Sequence, residues 1–298
     1  YHWDKMHGIN VDAGIFMSYI GLDSYYQYDN WSYQPSYVSS NTPWFFNGLR
    51  IQIFPSDKLK IEPWIINGWQ SYGKFNSAPG LGGQILWRPN GSVSVLANNY
   101  WGTDTLGNPD RKRVHTDDSI QVKYLDTPDA TVSKAAFTFT FDAGCEYGGG
   151  VSCGGGTPDS PSQFFVGFMA YNRLWFNHDL LALTVGGGAI DNPGRYLVLL
   201  PPINGATAFS GTPYFTGNPG DPYKAWDASV TFDYMPSQFV TFRFEGNHRA
   251  ANVPYFSGEG GVTPPGGNVG PAGSLVAGWA PDLRKSENRV TIALLVKL

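Results

Sequence analysis

The chain has 298 residues, of which 15% are charged and 15% aromatic, with a formal net charge of −4. A soluble domain ordinarily carries about 25% charged residues, so much of this surface is not built for water, and the slight acidic balance excludes a basic field for nucleic acid or anionic lipid. No stretch approaches the roughly 20 consecutive apolar residues of a membrane helix, which leaves a β architecture in which only alternate residues need be apolar.

Twelve strands are predicted in chain order. The first, "INVDAGIFM", runs from Ile9 to Met17 and leads into a long aromatic loop to about Pro43. "GLRIQIF" then turns through "PSDK" into "LKIEPWIINGW", and "LGGQILW" turns through "RPNG" into "SVSVLANNYW". The stretch "GTDTLGNPDRKRVHTDD" reads as a loop before "SIQVKYL", which turns through "DTPDATVS" into "KAAFTFTFDA". A Gly-rich loop carries both cysteines, Cys145 and Cys153. After it, "SQFFVGFMAYNRLWF" turns through "NHD" into "LLALTVGGGA". Residues 190–224 form the next long loop; "AWDASVTFDY" then turns through "MPSQ" into "FVTFRFEGNHR". A Gly/Pro-rich loop leads to the last strand, "NRVTIALLVKL". Short turns thus alternate with long loops, the asymmetry of barrels whose turns are periplasmic and whose loops face outward. An even strand count places both termini on the periplasmic side. No repeat or linker divides the chain, so residues 1–298 read as one domain.

Successive side chains of a strand point to opposite faces. In "AWDASVTFDY", Trp226, Val230 and Phe232 oppose Asp227 and Asp233; in the next strand Val240, Phe242 and Phe244 oppose Arg243, Glu245 and Arg249. In the last, Val290, Ile292, Leu294, Val296 and Leu298 oppose Arg289 and Lys297. Elsewhere the polar face carries Arg50 and Gln52, Lys60 and Glu62, Lys123, and Asp142. An apolar face of this kind suits lipid, and a polar face carrying both charge signs suits a water-filled lumen. The expected pore-lining set is therefore Arg50, Gln52, Lys60, Glu62, Lys123, Asp142, Asp227, Asp233, Arg243, Glu245, Arg249 and Arg289. On this assignment Val230→Arg impairs insertion, while Asp233→Arg folds and shifts selectivity toward anions. Trp44, Trp64, Trp69, Tyr100, Trp101, Tyr171, Trp175, Trp226 and Tyr234 lie near strand ends, where an interfacial girdle would sit. A soluble β-sandwich, whose outer faces are also polar, is the competing architecture; the low charge fraction and the loop asymmetry argue against it.

The spacing of Cys145 and Cys153 permits a local disulfide, which implies an oxidising compartment. No catalytic residues are expected. His115 with Asp117 and Asp118, or His248 with Glu245, lack a nucleophile elbow and a second local histidine. No metal or cofactor is expected either. His2 and His7, five apart around Asp4, would face opposite sides of a strand, and Asp104, Asn108 and Asp110 lack the glycine and terminal glutamate of a calcium loop.

The stretches "VDAGIFMSYIGLDSYY" and "NTPWFFNGLRIQIFPSDKLKIEPWIINGWQSYGKFN" resemble the OmpL-like β-barrel porin family of Gram-negative bacteria. Gly14, Phe16, Ile20 and Gly21 match its first motif, with Tyr19 where proline is usual; the resemblance covers roughly residues 8–130 and, beyond them, the strand pattern. It implies about four further strands before the first motif, for a total of about 16. Leu298 ends the chain where outer-membrane strands often place Phe. The expected protein is an all-β transmembrane antiparallel up-and-down barrel in the outer membrane, passing small polar solutes or ions. Its expected partners are outer-membrane lipid, its solutes and, through aromatic loops, further copies or neighbouring surface proteins. The alternatives are a plugged structural barrel whose loop "DSYYQYDNWSYQPSY" contacts neighbours, and a secreted carbohydrate-binding sandwich.

Overall fold

The computed structural model describes residues 1–73, 77–103, 105, 107–157, 159–160, 162–192, 223–260 and 282–297. Alternating β-branched, aromatic and polar residues favour a pleated, half-buried surface, and the chain forms strand after strand. These are β1 (His2–Trp3), β2 (Ile9–Met17), β3 (Phe45–Ser56), β4 (Leu59–Ile66), β5 (Gly80–Asn90), β6 (Val93–Gly102), β7 (Lys112–Asp126) and β8 (Val132–Tyr147). They continue with β9 (Phe164–Phe176), β10 (Leu181–Asp191), β11 (Lys224–Ser237), β12 (Val240–Ala251), β13 (Phe256–Ser257), β14 (Leu283–Arg284) and β15 (Ser286–Val296). One short helix, α1 (Tyr37–Ser40), interrupts the connection from β2 to β3.

Thirteen strands pair in the order β1 to β12 followed by β15, each antiparallel to its neighbour, and β13 pairs with β14 apart from them. The sheet is not closed: β1 and β15 are its two ends. The twelve long strands stand where the alternation places them, and His2–Trp3 adds a short thirteenth against Ile9 and Asn10. One boundary differs markedly. β7 starts at Lys112, so His115, Asp117 and Asp118 belong to a strand and not to a loop. The ladder partners Gly144 and Asp142 on β8 extend the pairing that far. The links β3–β4, β5–β6, β7–β8, β9–β10 and β11–β12 are tight and share one end of the sheet, while the long connections share the other.

Burial is inverted relative to a water-soluble protein. Along β11, Trp226, Val230, Phe232 and Tyr234 are exposed while Asp227, Thr231 and Asp233 are buried; along β12, Phe242 and Phe244 are exposed while Arg243 and Glu245 are buried. The concave side also holds two aromatic clusters, one around Tyr37, Phe165 and Tyr171, the other around Tyr19, Phe46, Trp64 and Tyr100. Five of the residues expected in an interfacial girdle therefore belong inside: Trp64, Tyr100 and Tyr171 are buried, Trp69 packs on Tyr100, and Trp175 packs on Trp31. Trp44, Trp226 and Tyr234 remain on exposed surface. Parity explains the difference, because Trp64 and Tyr171 stand in step with Glu62 and Arg173, on the inward register of their strands.

Two outcomes follow from the exposed face and from the Cys145–Cys153 disulfide at the end of β8. Val230→Arg places a cation on the apolar face, at a cost of about 2–4 kcal/mol near a bilayer midplane; urea titration of protein folded into liposomes should show that loss. Intact-mass alkylation without reductant should label neither cysteine, and two labels would refute the bridge.

Candidate functional site

The inward charges are built into paired networks. On β11 and β12, Asp233 accepts Nε and Nη2 of Arg243 at 2.7 and 2.9 Å. Its Oδ2 also lies 2.7 Å from Nη1 of Arg173 on β9, whose guanidinium donates to Thr184. A bidentate arginine–carboxylate pair is among the stronger polar contacts, and here one carboxylate sits between two guanidiniums. Arg249 pairs with Glu287 at 3.5 Å and lies 4.2 Å over the Tyr37 ring. At the other end of the sheet, Glu62 accepts from Gln52, Lys60 and the Trp64 indole at 2.9, 2.6 and 2.9 Å. Arg50 holds Asp12 at 3.0 Å.

Residues 18–44, the connection from β2 to β3, lie against these groups. Glu245 accepts the backbone amides of Tyr33 and Gln34 at 2.6 and 2.8 Å. Asp227 accepts the Ser36 hydroxyl and the Tyr37 amide, both at 2.9 Å. Arg243 donates to the carbonyls of Gln27, Asn30 and Ser32, and Arg289 donates to the Gln34 side chain. On the facing wall, Gln84 donates to the Tyr19 carbonyl at 2.8 Å and the Tyr19 hydroxyl donates to the Asn99 carbonyl at 2.7 Å. The segment therefore bridges β5–β6 on one side and β11, β12 and β15 on the other. Glycines make the room. A side chain at Gly82 would run into the Tyr19 hydroxyl, and a Cβ on Gly188 would stand 2.5 Å from the Ser36 hydroxyl.

These contacts change the reading of the inward residues. Asp142, Asp227, Asp233, Arg243, Glu245 and Glu62 point inward but are buried, and all six meet protein where open water was expected. Arg50, Lys60, Arg249, Lys123 and Arg289 keep accessible side chains, the last two most of all. Gln52 is half-buried beside Glu62, and Lys123 is paired with Asp126. The loop "DSYYQYDNWSYQPSY" turns Trp31, Ser36 and Tyr37 inward and leaves Tyr25 and Tyr26 exposed. Arg173 was missed by sequence reasoning. Its signal is a lone guanidinium at the inward parity of an otherwise apolar run.

The residues weighed for chemistry separate. His248 faces outward, bonded to Asn288 at 2.8 Å, while Glu245 three positions before it faces inward. His115 is buried 2.6 Å from Asp142, which pairs directly with Asp117 across the ladder. Asp118 sits on the opposite face, accepting the Asn98 amide and the Thr116 hydroxyl. His2 is engaged by Asn10 and Asp4. Asn108 donates to the Gly149 carbonyl; Asp104 and Leu298 lie outside the described residues.

A family model described as "Putative beta-barrel porin-2, OmpL-like" matches residues 1–276. Among solved structures, Pseudomonas aeruginosa OprD is 10% identical with a TM-score of 0.39, the match covering 82% of this chain and 72% of that one. OpdQ of the same organism is 9% identical with a TM-score of 0.33, over 84% and 71%. Its OccK7 (OpdD) is 10% identical with a TM-score of 0.31, over 70% and 64%. No curated protein matches the chain.

The Arg173–Asp233–Arg243 network reverses the outcome expected for Asp233→Arg. The substitution would gather three guanidiniums in a closed space and leave Arg173 and Arg243 without their shared carboxylate. Breaking a buried pair costs about 3–5 kcal/mol, so the urea midpoint should fall by that equivalent. An unchanged midpoint would mean that Asp233 faces water after all.

Proposed function

This chain belongs to the OmpL-like β-barrel porin family, an outer-membrane porin of the Gram-negative type, and from that premise we propose that it passes small polar solutes or ions by passive diffusion. The observation that supports this reading best is the double-sided patterning of β11 and β12, apolar outward and charged inward. An apolar outer face is stable only against hydrocarbon, and a charged inner face only against water or compensating polar groups. Arg50, Lys60, Lys123, Arg249 and Arg289 then touch the permeating water directly. Asp142, Asp227, Asp233, Arg243, Glu245 and Glu62 build the wall behind it, with Gln52 between. The long connections face outward and the tight turns and both termini face the periplasm, in one domain. The interior carries fixed charges and hydrogen bonds for guiding solutes, and catalysis has no part in this reading.

A second reading, a barrel plugged for a structural role, draws on the same segment 18–44, whose partners bury the inward charges of β11 and β12. The two readings separate in a planar bilayer. Purified protein should give discrete current steps in potassium chloride. Because the segment narrows the interior, the steps should be smaller than those of an unobstructed barrel of equal strand number. Reproducible insertion without any steps would favour the plugged barrel.

A further inference from the structure

Three cavities adjoin one another along the inserted segment. The outermost, about 130 Å³, is lined by Asp23, Gln27 and Asn30 together with the rings of Tyr25, Tyr26 and Trp44. A second, about 40 Å³, lies beyond Asp23 and Asn30, which line both, and is walled by Trp31, Gln121, Thr138 and Tyr171. A third, about 250 Å³, shares Trp31 and Gln121 with the second and opens among the β5–β6 turn and Lys123, at the tight-turn end of the sheet. The series begins beside Met17 and Trp44, at the end of the long connections.

The chemistry along the series is one-signed where it is narrow. The Asp23 carboxyl is held by the Ser39 hydroxyl, while burial pushes its pKa up; its Oδ2 is shielded from solvent without a hydrogen-bond partner among the described residues, and the Gln27 Oε1 beside it is also without a donor. Among the described residues no Lys or Arg lines the first two cavities; Asp29, also on the second, is paired with Lys297 at 3.6 Å. Arg243 approaches the segment from β12, but its guanidinium is spent on Asp233 and on backbone carbonyls. Tyr25, Tyr26 and Trp44 line the first cavity and Trp31 and Tyr171 the second, and aromatic rings attract cations over their faces. Arg88 and Lys123 stand only at the wide third cavity, where Lys123 is paired with Asp126 and water screens charge.

We propose that these cavities are the permeation route past the inserted segment, and that Asp23 with its aromatic surround makes the narrow part a selector for small cations, inorganic or bearing an ammonium or guanidinium group. The inference rests on the porin reading and adds the path and the preferred charge. A volume of about 40 Å³ admits one or two waters, so the second cavity is the constriction, and a cation passes it only after shedding most of its hydration shell or if Trp31 or the segment shifts.

Reversal potentials in a potassium chloride gradient test it on the full-length protein. The wild type should prefer potassium. Asp23→Asn should lower the potassium-to-chloride permeability ratio by at least about fivefold, the Boltzmann factor that a unit charge about 4 Å away in water exerts on potassium alone. Asp23→Glu should keep the preference, as should Asp57→Asn at the exposed β3–β4 turn. Thr138→Trp, which fills the constriction, should reduce step size. Wild-type steps that favour chloride, or an Asp23→Asn ratio equal to wild type, overturn the route while leaving the porin reading intact. A wild type without steps fails the porin reading itself and this route with it. If Asp23→Asn does not fold, the wild-type sign and the Thr138→Trp step size decide.

Discussion

One carboxylate, Glu245, carries the backbone amides of two residues that lie more than 200 positions earlier in the chain, and the interior depends on contacts of this kind. A concave sheet face lined with aspartate, glutamate and arginine has no stable form without compensation, because an unpaired buried charge is far more costly than a paired one. Part of the compensation comes from cross-strand partners such as Asp233 and Arg243. The rest comes from the peptide groups of residues 18–44. Amides at Tyr33, Gln34 and Tyr37 meet carboxylates, and carbonyls at Gln27, Asn30 and Ser32 meet a guanidinium. Main-chain groups serve this purpose for almost any sequence of side chains, which is why a tyrosine-rich segment can fill a charged interior.

The side chains of that segment do a second kind of work. Tyr19 stacks on Phe46 with centroids 5.2 Å apart, and Tyr37 and Val38 are buried with Phe165 and Met169. Burying a large apolar side chain is worth about 1.5–3 kcal/mol. The interior is therefore a mosaic, with aromatic clusters near the loop end and charge networks deeper along β9 to β12. That division lets a sheet with a greasy exterior also hold an ordered, partly greasy interior without losing a polar path.

Much of the fold could be read in the sequence, because a period of two is robust: each long strand was visible from its alternation, and so was the end at which the tight turns cluster. Strand ends were less legible. Lys112 to Asp118 looks like a loop because polar residues crowd it, yet the ladder runs through it, with Asp118 turned outward to cap the Asn98 amide. The site was half legible. Parity put Asp227, Asp233, Arg243 and Glu245 on one side. It could not say what that side meets, since the partners come from a segment without periodicity. The same blindness put Trp64 and Tyr171 in a girdle. An aromatic ring near a strand end suits an interface or an interior equally, and only its step relative to Glu62 or Arg173 distinguishes them. The glycines hold a usable signal: Gly82 and Gly188 stand at inward positions where a strand normally presents a side chain, as they must if something else is to occupy the space.

The distance in sequence between the segment and its partners sets an order of events. Ser36 finds Asp227 across 191 positions and Arg289 finds Gln34 across 255, so the earliest loop of the chain can be seated only after the latest strands have arrived. Hairpins joined by tight turns form early because their loop-closure cost is small, whereas long-range contacts come late and slow the whole process. Until β11, β12 and β15 are in place, residues 18–44 have no wall to lean on, and those strands have no amides for their carboxylates. The settling is thus a mutual one: β11, β12 and β15 and residues 18–44 complete each other, and a chain halted before β11 would hold residues 18–44 with nowhere to settle.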